Sequence, residues 1–598
     1  MEQKPRSEKQ AKGSEELKAG SEKQEAGNEL SSCSPPPGKA RTGVFVCHCG
    51  SNIAGLLDCE ALAEYAAALP NVVYAKDNLY TCSASGIAQI QAAIREHGLT
   101  RVVVASCSPR THMPLFKSAC AEAGLNQYLF EMANIRDQCS WVHVQERDAA
   151  RQKAMDLIRM AVAKAALLEP LEDIESSLVR KAMVLGAGVA GLSAASALAD
   201  MGVEVLLVER ETELGGLVRR LNRIGPSNEP AAEVLAMLLR EVESASHVRL
   251  FPGTDLVGVS GVVGNYEISL KSKGGEETEE TVGAIIVATG AVPFIPEGLF
   301  GFDGRKVITQ IDLEERLRNG SPLEVKNIVM IQCVGARGPG RSYCSRICCL
   351  TAVKNALLIK SRDPNARVHI LYRDIQMYGA ENEKLLRDSR GAGVKFDIFD
   401  PAFPPVVKEG SVEFYQPLTG MTIETECDLA VLSTPLVAPE GSAATANLMR
   451  LPVDGNNFFM EAHAKLRPLD FATDGIFLAG TARFPATVRE AVAQGLGAAS
   501  RANTMLSKDR LVFSALVSYV TDRCDGCGLC LDVCPYHAIT MEEFERDGRV
   551  FKKVRTDPIL CKGCGVCEAT CPKRGVLVHG FTPSQIRAQV DALLEALP

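Results

Sequence analysis

Residues 181–209 read KAMVLGAGVAGLSAASALADMGVEVLLVE and predict a dinucleotide-binding fold. A buried strand over 181–185 leads into a glycine-rich loop, and a helix over 192–201 and a second strand over 203–208 follow. The glycines are Gly186, Gly188 and Gly191. In this fold they permit a tight turn, bring the backbone against a pyrophosphate at the helix N-terminus and let the helix pack on the sheet. Glu209, which follows the second strand, can accept hydrogen bonds from a pair of ribose hydroxyls.

Stretches further along the chain resemble motifs of flavoproteins that bind two dinucleotides. The loop over 215–217 resembles the one that follows the ribose-binding acid, and IIVATG at 285–290 resembles the strand and turn that leave the second domain. DGIFLAG at 474–480 resembles the late flavin motif, whose acid contacts the ribityl–phosphate portion of FAD. The order of these motifs predicts a thioredoxin-reductase-like fold that binds FAD. The residues predicted to contribute to this FAD site are Gly215, Gly216, Thr289, Gly290, Asp474 and Gly480.

Cysteines near the C-terminus repeat one spacing twice, C-x2-C-x2-C-x3-C-P at 524–535 and again at 561–572. This spacing is typical of a bacterial ferredoxin with two clusters, in which the fourth cysteine of each repeat ligates the other cluster. Zinc ribbons also contain C-x2-C pairs, but zinc does not need the third regularly spaced cysteine and the proline. The predicted ligand sets are Cys524, Cys527, Cys530 and Cys571 for one [4Fe–4S] cluster, and Cys561, Cys564, Cys567 and Cys534 for its neighbour.

The region 41–150 alternates predicted strands and helices, and cysteines follow the strands. In an open α/β sheet, sites form at the carboxyl ends of the strands, so these cysteines can converge on an iron–sulfur cluster. Buried core positions are the alternative, because free cysteine is among the most buried residue types. The candidate ligands are Cys47, Cys49, Cys82 and Cys107, with Cys139 as a fifth candidate.

The second nucleotide-binding half departs from a plain reductase. A predicted strand over 327–332 runs into a loop, 333–349, in which cysteines stand where phosphate-binding glycines are expected. We call this segment the four-cysteine loop, and its cysteines are Cys333, Cys344, Cys348 and Cys349. A redox-active disulfide like that of thioredoxin reductase would favour C-x2-C spacing, which is absent. The loop therefore predicts a cluster on the nicotinamide side of the fold, against the flavin.

Composition and length restrict the class of protein. A net charge of −8 gives no reason to expect a nucleic-acid partner. The chain has 21 cysteines, clustered in ligand spacings without a secretion signal, which predicts metal thiolates in a reducing cytoplasm. No apolar run approaches the ~18 residues of a membrane span, so we expect no direct membrane insertion.

The motifs predict an α/β flavoprotein with a cluster domain at each end. The first 40 residues are too polar to offset the entropy of ordering, and Cys33 within them is predicted to be unligated. The predicted organisation is a disordered segment over 1–40, an N-terminal α/β domain with an iron–sulfur cluster over 41–150, the first part of the FAD-binding domain over 151–320, a second Rossmann-like domain with the four-cysteine loop over 321–440, the second part of the FAD-binding domain over 441–512, and a tandem 2[4Fe–4S] ferredoxin domain over 513–598.

Beyond the predicted disordered segment, the chain resembles the A subunit of heterodisulfide reductase, an iron–sulfur flavoprotein of methanogens with many bacterial relatives. The matching stretches are VCHCGSNI at 46–53, ASCSPRTH at 105–112, EMANIRDQCSWVH at 131–143, the four-cysteine loop and the tandem ferredoxin. The resemblance implies FAD and about four [4Fe–4S] clusters, including one in the four-cysteine loop and one in the N-terminal domain. It also implies that Lys354 lies near the flavin and tunes its reduction potential. From the residues alone, a lysine one turn into a helix is more often solvated.

The chain departs from the methanogen protein, which has an additional ferredoxin domain soon after the Gly-Gly loop, whereas residues 217–251 here contain no cysteine. It also lacks the C-C-G repeats of the disulfide-reducing B subunit, so we expect the disulfide site on a partner.

The predicted function is electron transfer in a heterodisulfide-reductase-like complex, converting two-electron flavin chemistry to one-electron cluster transfer. Predicted partners resemble the B and C subunits, with a hydrogenase or an NAD-linked flavoprotein as further candidates and a homodimer within the complex. The alternative is a free-standing flavin oxidoreductase acting on NAD(P)H or a small disulfide.

Overall fold

The computed structural model describes residues 40–320, 324–546 and 549–595. The predicted disordered segment, with Cys33, lies outside these residues except for Ala40. Among the helices of the described ranges, none is long and apolar enough to cross a membrane.

The N-terminal domain is a parallel sheet in the order β2-β1-β3-β4, with helices against it. Every residue of β1 and β3 is buried, as expected for parallel strands that are covered on both faces. All of the strands therefore end at one edge, where the cysteines follow. The elements are β1 (Thr42–Cys47), α1 (Cys59–Ala67), β2 (Val72–Asn78), α2 (Ala84–Glu96), β3 (Arg101–Ser106), α3 (Pro109–Glu122), β4 (Phe130–Asn134) and α4 (Arg147–Ala165).

The first nucleotide-binding domain contains a five-stranded parallel sheet in the order β10-β7-β6-β14-β25. Helices α5, α6 and α11 pack on one face, and an antiparallel sheet, β11-β12-β13, packs on the other. Before the second domain the elements are β5 (Ile174–Ser177), β6 (Lys181–Leu185), α5 (Val189–Asp200), β7 (Glu204–Glu209), β8 (Arg223–Ile224), β9 (Glu229–Pro230), α6 (Ala231–Ser244), β10 (Val248–Pro252), β11 (Thr254–Val262), β12 (Asn265–Ser272), β13 (Glu277–Val282), β14 (Ala284–Val287) and β15 (Val292–Pro293).

The second domain repeats this plan with a parallel sheet in the order β16-β23-β17-β18-β19. One face carries the helices that follow its strands, and the antiparallel strands β20, β21 and β22 cover the other. Its elements are β16 (Val307–Thr309), α7 (Gln310–Arg318), β17 (Asn327–Ile331), α8 (Cys348–Arg362), β18 (Arg367–Tyr372), α9 (Ala380–Gly391), β19 (Lys395–Ile398), β20 (Val406–Lys408), β21 (Ser411–Gln416), β22 (Met421–Glu426), β23 (Leu429–Leu432) and β24 (Leu436–Val437).

The chain then returns to the first sheet and continues into a small C-terminal domain. The returning elements are α10 (Ser442–Met449), β25 (Ile476–Leu478), α11 (Val488–Leu506) and β26 (Arg510–Phe513), which pairs with β5. The C-terminal domain contains β27 (Ser518–Val520), the hairpin of β28 (Ile539–Arg546) and β29 (Arg549–Thr556), α12 (Val566–Thr570), β30 (Val576–Val578) and α13 (Pro583–Leu594).

The C-terminal domain packs on the N-terminal domain through α13 and α4. The Arg159 guanidinium donates to the carbonyl oxygen of Ala592 at 2.5 Å, and the Gln585 side-chain amide donates to the carbonyl oxygen of Leu167 at 2.9 Å. These polar contacts join segments that are far apart in the sequence, so the two cysteine-rich domains are neighbours.

Candidate functional site

A cavity of about 700 Å³ lies at the carboxyl end of the first sheet and reaches the second domain. Most of the residues predicted to contact a dinucleotide line it. These are Gly186, Gly188, Glu209, Gly215, Gly216, Thr289 and Gly290. The sequence motif therefore folds into a cavity of the size that organic cofactors occupy.

In the glycine loop, Gly191 faces packed backbone and Gly188 faces open space. A Cβ at Gly191 would lie 1.8 Å from the carbonyl oxygen of Gly186, so the helix packs on the loop only without a side chain there. A Cβ at Gly188 would meet no atom within 4 Å, and Gly188 is the N-cap of α5 and lines the cavity. Backbone at this position is free to approach a phosphate at the helix N-terminus.

The carboxylate of Glu209 is held at the rim of the cavity by backbone N–H groups. Its Oε2 accepts from Ala187 N at 2.7 Å, and its Oε1 accepts from Glu211 N at 3.0 Å. Elsewhere in the lining, the buried hydroxyl of Thr289 has no hydrogen-bond partner within the described residues. A buried unpartnered hydroxyl that lines a cavity fits a polar ligand, so the residues present fit a flavin dinucleotide.

Asp474 is not at the cavity, and the structure contradicts its predicted role. Its carboxylate forms an ion pair with Lys562 of the C-terminal domain, and its carbonyl oxygen accepts from the Tyr266 hydroxyl. The reason is strand direction, because Asp474 precedes β25, whereas the cavity lies beyond the carboxyl ends of the parallel strands. Gly480 also lies outside the lining, and its neighbour Thr481 lines the cavity instead.

The four-cysteine loop brings its cysteines together beside this cavity. Cys333 follows β17 in a left-handed conformation with φ of 62°, and Cys348 and Cys349 begin α8. Burial raises the pKa of the Cys348 thiol, and Cys349, Cys333 and Cys344 raise it further. Burial likewise raises the pKa of Cys349 to about 11, with Cys333 and Cys344 contributing. These mutual effects on the pKa values indicate that the four thiols are neighbours.

Aromatic and charged contacts fix the four-cysteine loop against the first domain. The ring of Tyr343 packs edge-on against Phe458 at 5.7 Å and against Phe484 at 5.8 Å, measured between centroids. The Arg346 guanidinium donates to the Glu490 carboxylate at 2.6 Å, in the first turn of α11. Sequence reasoning missed these contacts, because each of them joins residues that are far apart along the chain.

Lys354 lines the cavity from α8 and is buried, so the solvated position favoured by the residues alone is wrong. Its Nζ pairs with the fully buried carboxylate of Glu314 on α7 and donates to the carbonyl oxygen of Arg223 at 2.6 Å. Burial lowers the pKa of Lys354, and the charge of Glu314 opposes that shift. The acid was not predicted, because nothing in the sequence distinguishes it from Asp312 and Glu315, the half-buried acids of α7.

The cysteines predicted for the N-terminal cluster converge at the carboxyl edge of their sheet. Burial raises the pKa of Cys82, and Cys47 and Cys49 raise it further. Burial also raises the pKa of Cys107, with Cys49 and Cys47 contributing and Arg136 opposing. Cys139 is separate, since its thiol donates to the carbonyl oxygen of Ala150 at 2.8 Å within the core.

Buried polar groups surround this N-terminal cysteine group, which comprises Cys47, Cys49, Cys82 and Cys107. The Asn78 amide nitrogen and the hydroxyls of Thr81 and Ser106 are buried without partners in the described residues. The Thr81 backbone N–H points at the Cys47 sulfur at 3.4 Å. Unpaired donors beside converging thiols fit the sulfur atoms of a cluster, which accept hydrogen bonds.

The C-terminal domain brings one of its two predicted ligand sets to a single cavity. A small cavity is lined by the second predicted ligand set, Cys561, Cys564, Cys567 and Cys534. For the first set, burial raises the pKa of Cys530 to about 11, and Cys524 and Cys571 are among the groups that raise it further. Backbone N–H groups point at the sulfurs, for example Gly575 N at Cys571 Sγ, 3.1 Å.

In the ranges that the structure describes, no three histidine, cysteine or acidic side chains are grouped so that they could hold a metal ion, so the cysteines of each group are neighbours that do not form a preassembled set of metal ligands.

Two family models match the chain. Residues 177–331 match the pyridine nucleotide-disulphide oxidoreductase family, and residues 523–574 match the 4Fe-4S dicluster domain. The chain is therefore an α/β protein with a thioredoxin-reductase-like FAD/NAD(P)-binding fold and a C-terminal dicluster domain, as predicted.

The chain is similar along most of its length to curated archaeal proteins. It is 37% identical to an iron–sulfur A subunit of the CoB–CoM heterodisulfide reductase of Methanopyrus kandleri, over 85% of this chain and 92% of that protein. It is also 37% identical to the A subunit of the H2:CoB-CoM heterodisulfide, ferredoxin reductase of Methanothermobacter thermautotrophicus, over 84% and 91%. A protein of Archaeoglobus profundus, named for its likeness to the heterodisulfide reductase A subunit, is 32% identical over 92% and 98%. Among solved structures, thioredoxin reductase of T. acidophilum is 16% identical, with a TM-score of 0.39 over 55% of this chain and 100% of that one.

Proposed function

Because the chain belongs to the family of heterodisulfide reductase A subunits, we propose that it couples two-electron exchange in the flavin cavity to one-electron transfer toward partner subunits. The chain is a flavin- and iron–sulfur-containing oxidoreductase subunit of that family. One observation carries the finer proposal. Helix α8 begins at Cys348 and Cys349, and its next residues, Leu350, Thr351 and Lys354, line the cavity. Cysteine ligands and the cavity wall are thus parts of one helix.

FAD, when bound, exchanges electrons in pairs or singly, whereas each [4Fe–4S] cluster exchanges one. Different residues of the chain would bind different parts of the dinucleotide. The Gly188 backbone and the N-terminus of α5 would hold the pyrophosphate, and Glu209 would hold the ribose. The N-terminus of α11, capped by Thr487, also lines the cavity, and its positive dipole end favours negative charge on a reduced ring.

Lys354 is the residue proposed to act on the flavin itself. A buried cation in the cavity wall stabilises added negative charge and so raises the tendency of the flavin to accept electrons. Glu314 holds that ammonium at a fixed place in the wall. The lysine is therefore proposed to tune the reduction potential without taking part in covalent chemistry.

The cysteine groups are proposed to hold about four [4Fe–4S] clusters. One is in the N-terminal cysteine group, one is in the four-cysteine loop and two are in the C-terminal domain. The convergence of each group, together with the unpaired donors around the N-terminal one, supports this number.

The similar archaeal proteins are named as A subunits of larger reductases, so we infer partners that resemble the B and C subunits of heterodisulfide reductase and carry the disulfide site. A hydrogenase or an NAD-linked flavoprotein would supply the electrons, and the protein would be a homodimer within a cytoplasmic complex. The cysteines that occupy the phosphate-binding loop of the second domain disfavour direct use of NAD(P)H.

The test begins with protein purified without oxygen. We expect one FAD and about sixteen iron atoms per chain, and no bleaching of the flavin by NADH or NADPH alone. With purified B- and C-type subunits added, chemically reduced protein should pass electrons to them. About eight iron atoms would contradict the upstream clusters, and rapid bleaching by NAD(P)H would support a free-standing oxidoreductase instead.

A further inference from the structure

Gln332 is a buried amide at the entrance of the four-cysteine loop. Its backbone N–H donates to the Leu371 carbonyl oxygen at 2.9 Å, so it extends the ladder of β17 by one residue. Its side chain is 1% exposed, and neither the amide oxygen nor the amide nitrogen has a hydrogen-bond partner among the described residues. A buried amide with both ends unpaired is costly, and such groups are rare in folded proteins.

A neighbouring amide shows that this region can satisfy such a group. Gln310 is 6% exposed, and its amide nitrogen donates to the Ser433 hydroxyl at 3.2 Å. Its amide oxygen accepts from the side-chain nitrogen of Asn355 at 2.9 Å. Gln332 differs from Gln310 in its position beside the cysteines, where a cluster would supply the missing partner.

Strand alternation places Gln332 on the side of the sheet where α8 begins. Ile328 and Met330, four and two residues earlier, belong to the core that also contains Cys349 and Leu350. Side chains alternate along a strand, so Gln332 shares their face, and Cys333 follows it directly. The unpaired amide is therefore on the face of the sheet that packs against the start of α8, and it immediately precedes Cys333 in the chain.

We propose that the Gln332 amide nitrogen donates a hydrogen bond to a sulfur atom of the cluster held by Cys333, Cys344, Cys348 and Cys349, and thereby raises its reduction potential. The bond stabilises the negative charge that the cluster gains on reduction, which is how hydrogen bonds to sulfur tune such potentials. The inference rests on the proposed cluster. It identifies the hydrogen bond from Gln332 as one determinant of how readily that cluster accepts an electron from the flavin.

The experiment compares Gln332→Met with Gln310→Met in the complete protein. Methionine keeps the length of glutamine and removes the donor. We expect Gln332→Met to keep its iron and FAD. The variant should lower the midpoint potential of one cluster by at least about 59 mV, which corresponds to a tenfold change in the equilibrium constant of a one-electron reduction. Redox titration followed by electron paramagnetic resonance measures it, and the signal missing from Cys348→Ala identifies the cluster.

The matched variant separates tuning from packing. Gln310→Met should lower the melting temperature, because it leaves Asn355 and Ser433 unpaired, and should leave every potential unchanged. An unchanged potential in Gln332→Met at full iron content would overturn the inference. If Gln332→Met loses iron, Gln332→Leu, which also lacks a donor and adds no charge, must lower the same potential, or the inference fails. Absence of this cluster from the wild-type protein would instead refute the proposed function.

Discussion

Alanine at Gly188 and alanine at Gly191 should separate cofactor binding from folding. At Gly188 the added methyl meets no atom within 4 Å, and the backbone φ of −76° suits alanine. Replacing glycine at an N-cap destabilises the helix, whereas removing its flexibility from the unfolded chain stabilises the folded state. Because these two effects oppose each other, the free energy of unfolding should change by less than about 1 kcal/mol. The methyl would occupy the space where the backbone meets a phosphate, and losing one charged hydrogen bond of about 1.5–3 kcal/mol weakens FAD binding roughly 10- to 100-fold.

At Gly191 the same methyl would lie 1.8 Å from a backbone oxygen, which cannot move aside as a flexible side chain can. Overpacking typically lowers the free energy of unfolding by about 1–3 kcal/mol, and the loss in Gly191→Ala should lie at or above the top of that range. The assay is FAD titration into FAD-depleted protein, with unfolding in denaturant measured on the same samples. Wild-type FAD affinity in Gly188→Ala, or wild-type stability in Gly191→Ala, would refute the assignment of the loop.

Three further predictions concern buried groups. Glu314→Gln or Lys354→Met alone should destabilise the protein by about 3–5 kcal/mol, because each leaves a buried charge unpaired, and the double variant should lose less than the sum in denaturant unfolding. Cys348→Ala should remove about four iron atoms and keep FAD, whereas Cys139→Ser should keep all the iron; equal iron loss in both would contradict the grouping of the thiols. Burial lowers the pKa of His369 from 6.5 to about 4, so the unfolded chain takes up its proton first as the pH falls. Stability should therefore drop by about 2 kcal/mol between pH 7 and pH 5, and a variant lacking this imidazole should show that much less pH dependence.

Motifs with local spacing predicted several of the elements around the cavity. The helix predicted over 192–201 is Val189–Asp200, and it begins inside the glycine motif because Gly188 is its N-cap. The strand before the four-cysteine loop, predicted over 327–332, is Asn327–Ile331. These features depend on neighbours along the chain, which a sequence pattern contains.

Features that depend on distant parts of the chain were not predictable in this way. Strand β13 is mostly glutamate and threonine, and it forms a strand because β12 pairs with it while Ile268 and Leu270 face the first sheet. The partner of Lys354 comes from a different helix, α7. Asp474 matched a motif by spacing, but the direction of its strand places it at the opposite end from the cavity.

The contact between α4 and α13 has a consequence for how the chain is made. Arg159 and Ala592 are separated by 433 residues. A ribosome that adds roughly 5–20 residues per second needs about 20–90 s to cover that distance. The N-terminal domain must therefore keep one side of α4 uncovered through most of synthesis, and its cysteines can meet the iron supply of the cell long before α13 arrives to close that side.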